Sequence, residues 1–196
     1  MSKLIVGVDP GVRGCGVAWG TEERGIREAF YIKNFPASRK KGAVEPNGIQ
    51  QMAYSIGTTI TDAARGMGAS ELVVLVEWPQ VYQGAQQKGD PNDLLMVAGV
   101  SSAILTAVEV LESTHHNPRD KHSIEYVRPR TWKGQVDPDV MLKRIEKQLS
   151  ETEAFYVGIG MQSVPASLRH NVWDAVGIVL HRLGRLGTKR IFRGDE

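Results

Sequence analysis

The sequence predicts an α/β domain in which helices flank a mixed five-stranded sheet. Three observations support this fold class: an apolar hairpin opens the chain, a continuous apolar strand lies near its middle, and four segments of helical character occupy much of the remainder. The chain has 196 residues, of which 41% are hydrophobic and 23% are charged, and this is enough for one hydrophobic core. We therefore expect one domain over residues 1–187, followed by a basic tail over residues 188–196.

Apolar runs and turn residues locate the five strands. Residues 4–19 (LIVGVDPGVRGCGVAW) contain two apolar runs around an Asp-Pro-Gly turn, which is typical of strand, turn and strand. Hydrophobic residues alternate over 26–35, which indicates a third strand. The run ELVVLVEW at residues 71–78 is mostly apolar, as expected of a central strand that is buried on both faces. A short fifth strand is predicted over residues 124–127.

Capping signals and helical spacing of apolar residues predict the helices. Asn47 can cap the first helix, and Asp137 before a proline is a typical start of a later one. The predicted ranges are 48–67, 92–112, 137–149 and 165–186. Residues 151–163 include two glycines and are predicted to form a loop. The helix over 92–112 is apolar nearly all round, so we expect the domain core and a partner subunit to cover it.

Composition indicates a protein of the reducing cytoplasm. Cys15 is the only cysteine, so an intramolecular disulfide and a cysteine-based zinc site are excluded. Residues 1–8 carry too short an apolar run for a signal peptide. The longest uncharged segment, residues 94–108, is shorter than the roughly 20 residues of a membrane-spanning helix. We therefore expect a cytoplasmic protein that makes no membrane contact.

The distribution of charge says more about binding partners than the net charge of +2. Basic residues gather over residues 33–41, 128–133 and 182–193, where acidic residues are scarce. Any one of these groups fits a solvated surface or tail equally well. Three such groups beside candidate site residues favour a polyanionic partner.

Three acidic residues stand at positions suited to a metal site. Asp9 ends the first strand, Glu77 ends the fourth, and Asp174 lies on the last predicted helix. Mg²⁺ and similar cations prefer oxygen ligands, and two such ions about 3.5–4 Å apart can activate water and stabilise the leaving oxygen in phosphodiester hydrolysis. Alone, Asp9 would also fit nucleotide binding or a solvated turn. Together the three acids predict a site for two divalent cations, Mg²⁺ or Mn²⁺.

Four segments also resemble, in order, those of a known nuclease family. They read VGVDPGVRGCGVAW, VVLVEWP, RPRTWKG and HNVWDAVGIVLHRLG, and they are similar to the four blocks of RuvC-like nucleases, the Holliday junction resolvases of the RNase H-like superfamily. The resemblance extends over residues 3–186 and implies an RNase H-like fold. It also implies that Asp9, Glu77 and Asp174 bind the metals, and that the protein is a homodimer whose interface includes the helix after Glu77. The Asp-Pro-Gly turn alone would be weak evidence, because actin-like ATPases share it.

The final helix departs from the resolvase pattern. Such helices usually carry two ligands three residues apart, yet the residue three before Asp174 is Asn171. Spacing favours Asn171 as the fourth ligand, whereas chemistry favours His170, because imidazole is the better ligand or water-activating group and shares a helix face with Asp174. We expect His170 in this role; the alternative is an ordinary histidine at the edge of the core.

Lys133 and several loop residues are expected to contact DNA. The resemblance implies that Lys133, after the fifth strand, approaches the scissile phosphate as a point charge; the alternative is an ordinary surface lysine. Tyr82, in the loop after Glu77, is expected to stack on a base at an opened junction. The other predicted DNA contacts are Arg39, Lys40, Lys41, Lys88, Arg128 and Arg130.

These observations together predict a divalent-metal-dependent, structure-selective endonuclease that resolves Holliday junctions or related branched DNA, without a nucleotide cofactor, in a bacterial or viral setting. Two alternatives stay open: a flap, replication-fork or RNA–DNA hybrid nuclease on the same fold, and a non-catalytic protein that binds branched DNA. An actin-like nucleotide-binding protein is disfavoured, because 196 residues is about half of that two-domain architecture and the sequence has no second phosphate loop.

Overall fold

Five strands form one mixed sheet in the computed structural model. The strands are β1 (Ser2–Asp9), β2 (Gly14–Thr21), β3 (Gly25–Lys33), β4 (Ala69–Glu77) and β5 (Lys121–Val127). They lie in the order β3-β2-β1-β4-β5; β2 is antiparallel to both β1 and β3, whereas β1, β4 and β5 are parallel. The predicted fold class is therefore confirmed. The structure describes residues 2–34, 46–80, 91–115 and 121–186, so the predicted basic tail lies outside the described residues.

Helices cover both faces of this sheet. They are α1 (Pro46–Gly66), α2 (Pro91–His115), α3 (Pro129–Trp132), α4 (Pro138–Gln148), α5 (Glu151–Met161) and α6 (Arg169–Arg182), with a short 3-10 turn (Ala166–Leu168) before α6. Helices α1 and α2 pack together over one face, whereas α5 and α6 cover the other face and α4 packs against α6. The sheet is thus the middle layer of three, with a hydrophobic core on each side.

The alternation of side chains along the strands directs the strand-end acids toward α6. Ile5 of β1 and Leu75 of β4 belong to the core beneath α6, while their immediate neighbours belong to the core beneath α1 and α2. Residues two or four positions apart on a strand share a face. Asp9 and Glu77 therefore extend from the face that α6 covers, at the carboxyl ends of two adjacent parallel strands.

One glycine in β1 and one in β2 permit α6 to lie close to the sheet. A Cβ atom at Gly16 would collide with the main-chain carbonyl of Asn171, and one at Gly7 would lie 2.5 Å from the carbonyl oxygen of Ala175. Both glycines face α6, whose contacts with β1 and β2 are extensive. Glycine is the one residue type that lets the backbones of helix and strands approach this closely. The close approach brings the α6 side chains near the end of β1.

The prediction of a loop over residues 151–163 is wrong, because α5 occupies most of that segment. Ser150 and Glu153 form a reciprocal capping box at its start, a signal that the sequence carries as S-x-x-E. Gly160 does not break the helix; a Cβ there would collide with the backbone of Ala29 in β3. The glycine that suggested a loop instead allows α5 to pack directly on the edge strand.

Glu153 also ties α5 to two other parts of the fold. Its carboxylate accepts hydrogen bonds from the main-chain N–H of Ile26, at 2.8 Å, and from the backbone and hydroxyl of Ser150. Arg185, just after α6, donates to the same carboxylate at 2.5 and 2.9 Å and also to the carbonyl of Gln148. One buried acid therefore links β3, the start of α5 and the end of α6.

Among the described helices, α2 is long and apolar enough to span a membrane by length and composition: within Asn92–Thr114, its most apolar 18-residue window has a mean hydropathy of 2.1. A core helix passes the same test, so this finding is weak evidence for a membrane. Val100, Ile104 and Val108 are buried against α1 and the sheet. On the opposite side Leu95 is 72% exposed and Val110 is 53% exposed, and small or polar residues such as Gly99, Ser102 and Thr106 are exposed between them.

Candidate metal centre

Three carboxylates meet at the carboxyl ends of the two central parallel strands. Asp9 ends β1, Glu77 ends β4, and Asp174 reaches them from α6. Each offers an oxygen atom, and these oxygens all lie within 4.8 Å of one another. The structure therefore brings together the three acids that the sequence places far apart. Oxygen donors at this spacing are the ligands that Mg²⁺ and Mn²⁺ prefer.

Lys133 lies within this cluster. Its ammonium group is 2.6 Å from Asp174 Oδ2 and 3.5 Å from Glu77 Oε2. It follows α3 directly, so that short helix sets the position of the lysine stem. The residue predicted to approach a phosphate thus lies beside the carboxylates, and its side chain is mostly buried.

The burial of like charges perturbs the acid–base properties of the cluster. Desolvation raises the pKa of Asp9 well above its ordinary value, and the negative charges of Glu77 and Asp174 raise it further. Burial likewise raises the pKa of Glu77, although Lys133 opposes this change. Burial acts to lower the pKa of Lys133, but the surrounding carboxylates outweigh it and raise the pKa. The cluster thus carries more negative charge than one lysine balances, which suits the binding of divalent cations.

Trp132 also contacts the cluster, a role that the sequence analysis missed. Its indole N–H donates a hydrogen bond to Glu77 Oε2 at 2.7 Å, and the residue is only 1% exposed. The ring packs over Gly177 of α6, where a Cβ would collide with it. The ammonium of Lys133 lies 4.8 Å from the ring centroid. The sequence signal was the Trp-Lys pair, but only the folded chain shows that the indole N–H faces a carboxylate.

Replacement of Trp132 by Phe is expected to weaken Mn²⁺ binding by about tenfold, because partners that hydrogen-bond a metal ligand typically contribute 10–100-fold to affinity. Phe keeps most of the ring but cannot donate to Glu77. Calorimetric titration of the purified protein with Mn²⁺ measures the change. The matched control is Trp19→Phe, since Trp19 packs edge-to-face on Phe30 in the core of the opposite face. Equal affinities for the two variants would contradict this prediction.

The two candidates for a fourth ligand lie on different sides of Asp174. His170 is exposed and borders a cavity next to Trp173, and its ring nitrogens are not part of the group defined by the three carboxylates. Asn171 is buried, and its side-chain amide donates to the carbonyl of Gly14 at 3.4 Å. Asn171 thus lies beside the turn that follows Asp9. The choice between them stays a prediction, with position favouring Asn171.

The predicted DNA-contacting residues fall partly inside the described structure. Arg128 and Arg130 are exposed and flank the start of α3, close to Lys133 in the chain. In the third basic group, Arg182 pairs with Glu125 at 3.1 Å, and Arg185 pairs with Glu153. These two arginines therefore have partners within the protein. The other predicted contacts lie outside the described residues: Tyr82, Arg39, Lys40, Lys41 and Lys88.

The carboxylates open into a small cavity on the side of α2. A pocket of about 320 Å³ is lined by Asp9, Glu77 and Lys133 at one end and by Leu94 and Val97 of α2 at the other. A second cavity, of about 680 Å³, lies between α4 and α6 and also reaches Lys133 and Asp174. The cluster is thus accessible from two sides.

Comparisons with known proteins give matches at the level of structure. No known protein-family profile and no curated protein sequence matches the chain. Three of the similar solved structures are RuvC from T. thermophilus in complex with a Holliday junction substrate (16% identity, TM-score 0.44), the Thermus thermophilus RuvC structure (15%, 0.41) and the yeast mitochondrial Holliday junction resolvase Ydc2 (10%, 0.54). Each match covers 93% of this chain; the two RuvC matches cover 97% of their chains, and the Ydc2 match covers 79%.

The likeness to Ydc2 concerns the fold, because the two sequences are only 10% identical. The match has a TM-score of 0.54 and extends over 93% of this chain. The resemblance drawn from four sequence segments thus agrees with an independent likeness of the whole described chain. This protein has the RNase H-like fold found in Holliday junction resolvases.

Proposed function

We propose that the protein is a divalent-metal-dependent endonuclease that resolves Holliday junctions or related branched DNA by phosphodiester hydrolysis. The observation that carries this proposal is the convergence of Asp9, Glu77 and Asp174, with Lys133 beside them, at the end of the central strands. Ydc2, which shares the fold, is a Holliday junction resolvase. Fold alone does not determine function, so the proposal depends on the site.

Two Mg²⁺ or Mn²⁺ ions, when bound, would supply the activation of water and the stabilisation of the leaving oxygen. Asp9, Glu77 and Asp174 would hold them through their carboxylate oxygens, which lie within 4.8 Å of one another. The fourth ligand is proposed to be Asn171 or His170. Trp132 would orient the Glu77 carboxylate through its indole N–H.

Lys133 is proposed to bind the scissile phosphate. Its ammonium is held among the carboxylates at 2.6 and 3.5 Å, and the surrounding negative charge keeps it protonated. Cations at the carboxylates would compete with the lysine for these oxygens and leave its N–H groups available to a phosphate oxygen. A charge-assisted hydrogen bond of this kind positions the phosphodiester beside the acids.

The DNA-binding surface is proposed to extend from the metal centre across Arg128 and Arg130, which are exposed on the same segment as Lys133. Arginine and lysine contacts to phosphate supply most of the affinity for DNA and make it dependent on salt. Tyr82 and the basic residues of the loops that were predicted to contact DNA remain part of this proposal.

We further propose that the protein is a homodimer that pairs through α2. The exposed face of this helix carries Leu95 and Val110, and the described part of the chain provides no cover for it. The resemblance to RuvC-like nucleases also implies a dimer interface at the helix after Glu77. A dimer would present two metal centres, as two symmetric cuts in a junction require.

The double substitution Leu95→Lys and Val110→Lys is expected to convert this dimer to a monomer, because an interface that buries unpaired lysines is strongly disfavoured. Sedimentation velocity measures the change. The control is Val140→Lys with Phe155→Lys, two exposed apolar residues on α4 and α5. A wild-type protein that sediments as a monomer, or a control that dissociates equally, would contradict the assignment of the interface to α2.

The proposed activity is tested by incubating the purified protein with a synthetic four-way junction, a replication fork, a flap, an RNA–DNA hybrid and plain duplex, each in Mg²⁺ and in Mn²⁺. We expect the junction to be cut fastest, at paired positions in opposite strands. Faster cutting of the fork, flap or hybrid would favour the alternative nuclease activity. Binding of the junction without cutting in either metal would indicate the non-catalytic alternative.

A further inference from the structure

A cavity of about 680 Å³ lies next to the metal centre, between α4, α6 and the turn after α3. Lys133 and Asp174 line it and also belong to the metal centre. It is therefore continuous with the place where a phosphodiester would be held. Its volume falls in the range of about 300–1,000 Å³ that is typical of sites for small organic ligands.

The lining of this cavity, which we call the α4–α6 cavity, is mostly apolar, and the charged side chains of Lys133, Asp139 and Asp174 also belong to it. Met141 and Ile145 are buried and form part of its wall, with Leu142 beside them on α4. Trp173 of α6 is half-buried and supplies an aromatic ring. The polar side chains include His170, which is exposed. A mostly apolar lining with one aromatic side chain and a few polar groups suits a planar, uncharged ligand.

We propose that the α4–α6 cavity receives an unstacked nucleobase from the nucleotide next to the phosphate held at the metal centre. This inference rests on the proposed nuclease function. Lys133 and Asp174 connect the two places, so a phosphate at the carboxylates leaves its neighbouring base within reach of the cavity. The carboxylates of Asp139 and Asp174 in the lining disfavour a second phosphate, because like charges repel.

The structure also distinguishes this cavity from the smaller pocket on the α2 side of the carboxylates. Within the described residues, that pocket is lined by the metal-centre side chains, three prolines, Gln80 and two aliphatic residues of α2, and no aromatic ring lines it. The α4–α6 cavity has both the larger volume and the ring of Trp173. Stacking on an aromatic ring accepts any base, because every base has a π-face. Such a pocket would bind an extruded base without requiring one sequence.

A branched substrate is suited to this mode of binding. Removing a base from a regular duplex requires unpairing and unstacking, and the cost is lowest where pairing is already disturbed. Nucleotides at a branch point meet this condition more easily than those in plain duplex. A base pocket beside the metal centre would therefore favour cutting near a branch, in addition to any contacts with the phosphate backbone.

The inference is tested by replacing, one at a time, the nucleosides on either side of each cleavage position in a four-way junction with an abasic analogue. For the wild-type protein, one abasic position is expected to raise the protein concentration at half-maximal cleavage by roughly 5- to 100-fold, the range for loss of one base–aromatic stack. Single-turnover cleavage at a series of protein concentrations provides the measurement.

Two variants assign that effect to the cavity. Leu142→Trp fills the cavity, and Trp173→Ala removes its ring. In both variants, we expect the intact junction to bind as weakly as the abasic junction binds to the wild-type protein. Replacing the base by the abasic analogue should then have little further effect. The matched control is Val140→Trp, because Val140 is exposed on α4 and does not line the cavity. Thermal unfolding of each variant checks that it folds.

The outcomes separate this inference from the function on which it rests. Normal cutting with no sensitive abasic position, or equal effects of Leu142→Trp and Val140→Trp, would overturn the base pocket and leave the nuclease proposal intact. Failure of the wild-type protein to bind or cut any branched DNA would overturn both.

Discussion

Replacement of Asp9 by Asn is expected to reduce cleavage of a four-way junction by at least about 10³-fold, because the amide cannot replace a charged ligand between two cations. Asp9 is 8% exposed, and Asn has nearly the same shape, so the fold should persist. Glu77→Gln and Asp174→Asn should have effects of similar size. Single-turnover cleavage in saturating Mg²⁺ gives the rates.

Binding of the junction should survive these substitutions, because contacts from lysine and arginine to phosphate carry most of the affinity. Asp62→Asn is the matched control: Asp62 is an exposed acid that pairs with Arg65 on the surface of α1, and the change should leave cleavage unaltered. Normal cutting by the Asp9, Glu77 and Asp174 variants would show that the site is elsewhere.

The Asp9 variant should also change the response of stability to metal. Without metal, three carboxylates repel one another in a partly buried cluster, so removal of one charge should raise the melting temperature in EDTA. With Mg²⁺, the wild-type protein should gain more stability than the variant, because ligand binding to the folded state adds RT ln(1 + [L]/Kd). Thermal unfolding with and without Mg²⁺ tests both expectations.

Replacement of Glu153 by Gln is expected to lower the free energy of unfolding by about 3–5 kcal/mol, the usual cost of breaking a buried ion pair by removing one partner. Glu153 is 3% exposed and accepts bonds from Ile26, Ser150 and Arg185. Urea denaturation measures the loss. Glu151→Gln is the control, since Glu151 is exposed in the first turn of the same helix and should cost at most about 1 kcal/mol.

The same network predicts how stability depends on pH. Burial acts to raise the pKa of Glu153, but the hydrogen bonds from Arg185, Ser150 and Ile26 outweigh it and lower the pKa from 4.5 to about 2. Because the folded-state pKa is depressed, the stabilisation is present above about pH 4.5 and is lost as the pH falls from there toward 2. The Glu153→Gln variant should lack this contribution to the acid dependence, whereas Glu151→Gln should keep it.

The sequence was most informative where one physical signal dominated. The strands followed from apolar runs that end in an acid or a turn, which placed Asp9 and Glu77 at strand ends. That these ends meet was expected from the chemistry of an acidic metal site and from the resemblance to RuvC-like nucleases. Helix α5 was missed because glycine was taken as a breaker; at Gly160 its actual role is close approach to β3, which depends on a partner distant in sequence. The capping signal at Ser150 was present and was overlooked.

Contacts at the site were missed for the same reason, because the partners are distant in the sequence. Residue spacing indicates which acids can share an edge of the sheet, but it does not give the direction of an indole ring, so the bond from Trp132 to Glu77 required the packing of α3 on α6. Arg182 and Arg185 read as part of a basic group because their partners, Glu125 and Glu153, are far away in the chain. Local patterns therefore predict ligands better than the residues that orient them.

The close packing of α6 against β1 and β2 determines when, during folding, the three acids come together. Asp9 lies on the first strand and Asp174 on the last described helix, so most of the chain separates two residues of the proposed metal centre. Bringing such distant residues together requires the loss of much chain entropy. During synthesis the third carboxylate also emerges last of the three, after the whole sheet. Incomplete chains would therefore hold at most two of the acids, and cleavage of DNA would begin only when α6 has docked.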